Sequence, residues 1–145
     1  MKKINCILLV DDNNADNVYH KIIITEADVC NYIRAVTNGR EALDYIIKSG
    51  EPNQTESFPK PDIIYLDINM PGMNGFEFLE EYKKLDEKLK SKVLIIMLTT
   101  SLNPDDRERA LTFKEVTEFQ NKPITVEILH ETIKKYFYPE YAAVM

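Results

Sequence analysis

The sequence predicts a doubly wound α/β domain, in which one parallel sheet is covered by helices on both faces. Two observations carry that reading. Five short apolar runs of strand length alternate with segments whose apolar residues recur at helical spacing. The clearest of these runs are apolar at consecutive positions rather than at every second one, as strands buried on both faces require. Repeated strand-helix-strand units of this kind connect through right-handed crossovers and so build a parallel sheet.

The first run, INCILLV at 4–10, stops at Asp11-Asp12. Ala15, Val18, Tyr19, Ile22 and Ile23 then follow a helical period, with Asn13 or Asn14 as the cap. NYIRAVT at 31–37 reads as the second strand, and Asn38-Gly39 opens a helix with Ala42, Leu43, Ile46 and Ile47 on one face. The Pro-rich polar stretch GEPNQTESFPKP at 50–61 has no period and reads as an exposed loop. Residues 61–68 form the third strand, and Phe76, Phe78, Leu79 and Tyr82 give the next helix its apolar face. KVLIIML at 92–98 is the fourth strand. Asn103, Pro104, Asp105 and Asp106 combine a capping side chain, a first-turn proline and acids that suit the helix dipole, so a helix runs from there to about Phe113. A short fifth strand at 115–120 precedes a last helix that begins at Thr125 and reaches about Phe137.

A chain of 145 residues with 44% hydrophobic content fits one domain spanning 1–145, with its core at about 4–137, a tail at 138–145 and no separate output domain. The formal charge of −6 disfavours a phosphate backbone or an anionic membrane as partner. Cys6 and Cys30 read as small buried hydrophobes without a disulfide. Two aspartates cut off the N-terminal apolar run before it could serve as a signal core, and no segment reaches the roughly 20 apolar residues of a membrane span, so a cytoplasmic protein is expected. The tail aromatics are expected to pack back on the domain, with a partner surface as the alternative.

Ligands of open parallel sheets bind at the carboxyl ends of the strands. There the first strand ends at Asp11 and Asp12, the third at Asp67, the fourth at Thr99 and the fifth at Lys122 before Pro123. With strands one and three adjacent, three carboxylates converge, and their mutual repulsion calls for a hard divalent cation such as magnesium. An ammonium from Lys122 and the Thr99 hydroxyl could share the oxygens of a phosphate with that ion. One carboxylate remains as an in-line nucleophile, rigidly mounted on the buried third strand. The turn that follows lets a main-chain carbonyl, that of Asn69, approach the metal.

VDD at 10–12, DINMPGMNG at 67–75, LTTS at 98–101 and KP at 122–123 stand in the order of the bacterial two-component response-regulator receiver domain, which this chain resembles over residues 4 to about 137. The resemblance implies a flavodoxin-like receiver fold with five helices and strand order 2-1-3-4-5, an arrangement for which the chemotaxis receiver is a standard example. It implies that Asp67 accepts phosphate from a sensor histidine kinase or a histidine phosphotransfer protein. It implies direct magnesium ligation by Asp12, Asp67 and the Asn69 carbonyl, with Asp11 acting mainly through water and manganese able to substitute. Thr99 and Lys122 would hold phosphoryl oxygens, Phe119 stands at the aromatic switch position, and the Lys122-Pro123 bond would be cis. Such a protein signals to a downstream protein target by interaction or by phosphorelay. It is not an enzyme in the usual sense, since it catalyses only its own phosphorylation and slow dephosphorylation.

Two departures from the family pattern stand out. Thr100 follows the switch threonine where alanine is common, and Glu115-Val116 replaces a small Gly-Ala pair. The 50–61 loop resembles that of stand-alone receivers. Taken singly, Asp11-Asp12 could be capping acids, Lys122 a surface lysine, Thr99 a strand end and Phe119 plain core; it is their combination that signifies. His20 and His130 lack metal-ligand spacing and read as solvated bystanders. The competing function is a magnesium-dependent aspartyl-phosphate phosphatase or phosphotransferase acting on small molecules. Against it, Asp67-Ile68-Asn69 lacks the second aspartate two residues on that such haloacid-dehalogenase-like enzymes use as acid and base.

Overall fold

The computed structural model describes residues 2–52 and 57–142, with side chains described as far as Glu140. Five parallel strands, β1 (Ile4–Val10), β2 (Cys30–Val36), β3 (Ile63–Leu66), β4 (Leu94–Thr99) and β5 (Val116–Asn121), form one sheet in the order β2-β1-β3-β4-β5. The chain steps from β1 outward to β2, then returns past β1 to β3 and proceeds the other way. The strand order therefore reverses between β1 and β3, where a crevice opens at their carboxyl ends.

Strand alternation splits the core into two layers. Leu8, Val10, Ile64, Leu66, Ile95 and Met97 face α2 (Gly39–Ser49), α3 (Gly75–Tyr82) and α5 (Pro104–Leu111). Ile7, Leu9, Ile63, Tyr65, Ile96 and Leu98 face α1 (Asn14–Ala27) and α6 (Val126–Phe137). Each fully buried Leu or Ile contributes about 1.5–3 kcal/mol, so the central strands serve as a rigid mount for whatever stands at their ends.

The helix starts follow the sequence closely. Asn13, Asn38, Asn74, Asn103 and Thr125 each accept a first-turn backbone N–H, and Asn74 with Glu77 completes a reciprocal capping box. Two single-turn helices, α4 (Glu87–Lys90) and α7 (Pro139–Ala142), add to the five expected. A single turn is too short to show a period.

The structure corrects several local readings. α1 forms, but Ala15, Val18, Tyr19 and Ile22 point to solvent, while Asn17, His20, Ile24 and Ala27 are buried. On α2, Ile47 is exposed and Tyr45 is buried in its place. The loop read at 50–61 falls partly outside the described residues. Its second half is not exposed throughout: Pro59 and Pro61 are buried, Phe58 packs on the core, and the Tyr45 hydroxyl donates to the Pro59 carbonyl at 2.6 Å. Phe137 at the end of α6 and Tyr138 at the start of the tail pack on the α1/α6 layer. The Tyr136 hydroxyl donates to Glu118 and that of Tyr138 to the Lys2 carbonyl. Residues 143–145 lie outside the described set. Among the described residues no helix is long and apolar enough to cross a membrane.

Candidate functional site

Parallel pairing fixes the acids in space. The Asp11 N–H donates to the Val36 carbonyl (3.2 Å) and the Asp67 N–H to the Val10 carbonyl (3.0 Å), so each aspartate extends the ladder one step beyond its strand. Carboxylate oxygens of Asp11, Asp12 and Asp67 come within 4.8 Å of one another. Asp11 and Asp67 are buried, whereas Asp12 is exposed. Backbone amides hold two of them in place: Asn13 N–H donates to Asp11 Oδ1 and Ile68 N–H to Asp67 Oδ1, both at 2.9 Å. Behind Asp67 the packing is close enough to require glycine, because a Cβ on Gly75 would lie 2.6 Å from the Asp67 carbonyl oxygen.

Lys122 enters from the far end of the sheet. Its backbone N–H bonds the Thr99 carbonyl at 2.9 Å, and the Lys122–Pro123 peptide is cis. The ammonium donates to Asp11 Oδ2 at 2.5 Å and to Asp16 Oδ2 at 2.8 Å, and lies 3.8 Å from Asp67 Oδ2. Thr99 is fully buried, and its Oγ1 accepts the Ser101 N–H at 3.1 Å, which leaves its own O–H to donate. Phe119 is half-buried against the α2/α3/α5 layer with the Arg107 guanidinium 6.0 Å from its ring centroid. Asn69 is exposed in the loop two residues past Asp67, and Thr100 is exposed beside Thr99.

Burial pushes the Asp67 carboxyl up to about 6; Lys122 opposes this and Asp11 adds to it. For Lys122, burial works against the charge, but hydrogen bonds to Asp11 and Asp16 outweigh it and hold the ammonium above its ordinary value. Two buried carboxylates and the exposed Asp12 therefore crowd a crevice that one ammonium only partly neutralises. An all-oxygen donor set, partly open to water, suits a hard divalent cation such as magnesium and not a soft one. Net positive charge brought by such an ion would in turn admit a dianionic group beside Lys122 and Thr99.

Other residues at this site escaped the reading of the sequence. Asp16 follows Asp12 by four positions, and His20 follows Asp16 by four, so a polar stripe at helical spacing was present to be seen. Neither histidine is a solvated bystander. His20 is buried, and burial together with the Lys122 charge holds its imidazole below the ordinary value. His130 is half-buried, with Nε2 3.0 Å from the Ala27 carbonyl oxygen. The Asn17 amide donates to the Asp11 carbonyl at 2.9 Å. Asn17, His20 and Tyr65 line a cavity of about 10 Å³ together with Asp11 and Asp67, room for a single water molecule. Asn17 Oδ1, His20 Nε2 and the Tyr65 hydroxyl find no partner among the described residues.

Comparison with known proteins agrees with this architecture. A two-component response regulator from Cytophaga hutchinsonii superimposes with a TM-score of 0.79 at 31% identity, covering 93% of this chain and 98% of that one. The response regulator Rcp1 of Synechocystis is 33% identical over 100 residues, 69% of this chain and 65% of its own. Sporulation initiation phosphotransferase F of Bacillus subtilis is 27% identical over 130 residues, 90% of this chain and 91% of its own. The model of the response regulator receiver domain matches residues 7–134. With the parallel sheet, its strand order and the acids at its reversal point, that match identifies the chain as a member of the response regulator receiver domain family.

Proposed function

We propose that this chain is a response regulator receiver domain that accepts a phosphoryl group on Asp67 in a magnesium-dependent reaction. The donor is a sensor histidine kinase or a histidine phosphotransfer protein. The observation that carries the proposal is the convergence of Asp11, Asp12 and Asp67 within 4.8 Å, with the Lys122 ammonium 3.8 Å from Asp67 Oδ2. Asp67 is the acid that directly follows the buried β3 strand, with one oxygen tied to the Ile68 amide and the other facing Lys122. That second oxygen attacks the phosphorus of a phosphohistidine, forming the O–P bond as the P–N bond breaks and the imidazole departs. Lys122 and the Thr99 hydroxyl then share the phosphoryl oxygens. Asp12, Asp67 and the Asn69 carbonyl would hold magnesium, with Asp11 beside them, and the ion would supply charge neutralisation.

A protein donor, rather than a small substrate held in a deep pocket, suits the apolar side chains that α1 leaves exposed. On that helix Val18, Tyr19 and Ile22 are 57%, 49% and 59% exposed. Tyr19 and Ile23 also line a groove against Ile124 of the loop after β5 and Val126 at the start of α6. An apolar strip beside the acids suits a docking phosphodonor protein. Signalling onward then proceeds by protein interaction or by phosphorelay.

Incubation with magnesium and acetyl phosphate is expected to raise the intact mass by one phosphoryl group. Asp67→Asn is expected to abolish the gain. A folded parent protein whose mass stays constant would overturn the proposal.

A further inference from the structure

We infer that Asp16, on the first turn of α1, is a positioning residue that restrains Lys122 and opposes the phosphorylated state. The inference rests on the phosphoacceptor reading of Asp67 and goes beyond it. Lys122 has three ammonium protons. Two of them are directed at Asp11 (2.5 Å) and Asp16 (2.8 Å), and Asp67 is the most distant of the three acids at 3.8 Å. A phosphoryl group on Asp67 needs that ammonium, and a carboxylate on the neighbouring helix competes for it.

Asp16 is well placed to compete. Its backbone is fixed, because its N–H donates to the capping Asn13 Oδ1 at 3.0 Å. Its side chain is 36% exposed, against 6% for Asp11, so water can replace the lysine if the pair separates. Asp11 lies in the cation-binding cluster, and its charge is engaged once a cation enters; Asp16 lies outside that cluster and keeps its charge for Lys122. Two effects then act in the same direction. Asp16 holds Lys122 back from the phosphoryl oxygens, and its own negative charge repels them.

The expected consequence separates cation binding from phosphoryl binding. Replacing Asp16 by Asn keeps its size and removes one negative charge from the site. Magnesium affinity should then stay the same or fall. Affinity for a phosphoryl mimic should rise.

The test measures magnesium and beryllofluoride affinities by backbone amide NMR titration for the parent, Asp16→Asn, Lys122→Ala and the double variant. Asp16→Asn is expected to bind beryllofluoride about three- to fivefold more tightly, with magnesium binding unchanged or weaker. In the Lys122→Ala background the gain should shrink, because only the repulsion remains. Unchanged or weaker beryllofluoride binding in Asp16→Asn would overturn the inference, weaker binding meaning that Asp16 orients Lys122 toward the phosphoryl group. An equal gain with and without Lys122 would also overturn it. A parent protein that binds magnesium but no beryllofluoride would instead sink the phosphoacceptor reading, and this inference with it.

Discussion

Helices α1 and α2 pack on opposite faces of the same sheet, and they use their residues in opposite ways. α2 is conventional: Ala42, Leu43, Tyr45 and Ile46 are buried, and Arg40, Glu41, Asp44 and Lys48 are exposed. The first turns of α1 invert the pattern, with Asn17 and His20 buried and Val18, Tyr19 and Ile22 facing water. The apolar order returns only at Ile24 and Ala27, away from the site. A helix that served stability alone would have no reason for the inversion. At its start α1 lies against the charged crevice, where Asn17 ties down the Asp11 carbonyl and Asp16 reaches Lys122, while Val18, Tyr19 and Ile22 on its outward side stay exposed.

The comparison breaks most visibly in the core of α2. Ile46→Ala should cost about 2–5 kcal/mol in urea denaturation, because it leaves a cavity beneath a close-packed sheet. A loss below about 1 kcal/mol would mean that α2 is not the stabilising helix it is taken to be.

A second, smaller effect belongs to the crevice that α1 flanks. Burial raises Asp67 from 3.8 to about 6, so the folded protein binds this proton more tightly than the unfolded chain. Its contribution is therefore lost as pH rises through that window, and the cost is fully present above about 6. Asp67→Asn should flatten the metal-free stability profile across this range and raise stability at neutral pH by about 1–3 kcal/mol. Thermal unfolding of both proteins from acid to neutral pH checks this, and parallel profiles would contradict it.

The smallest effect sharpens the contrast from the other side. Ile22→Ser on the outward face of α1 should change stability by no more than about 0.5 kcal/mol and leave acetyl phosphate labelling intact. A larger loss in the same urea titration would show that the apolar strip is part of the core.

How legible these features were in the sequence follows from how local they are. Strand runs such as ILLV and IIYL, and caps such as Asn38, Asn74 and Asn103, express preferences settled within a few residues, so the alternation and most boundaries could be read directly. The acids at Asp11, Asp12 and Asp67 were legible because strand ends are where such chemistry collects. The buried face of α1 was not, since apolar spacing marks an apolar side without saying whether the sheet or a partner covers it. Asp16 was missed because its partner Lys122 lies 106 residues away, and only the completed sheet brings them together. His20 was misjudged for the same reason: its burial depends on Tyr65 and Leu98 from other strands lining the same cavity.

The most direct test of the central claim is to locate the phosphoryl group. Borohydride reduction after labelling with acetyl phosphate and magnesium, followed by peptide mass mapping, should convert residue 67 alone to homoserine, and only when magnesium is present. Reduction at Asp11, Asp12 or Asp16, or labelling of Asp67 to the same extent in chelator, would contradict the account.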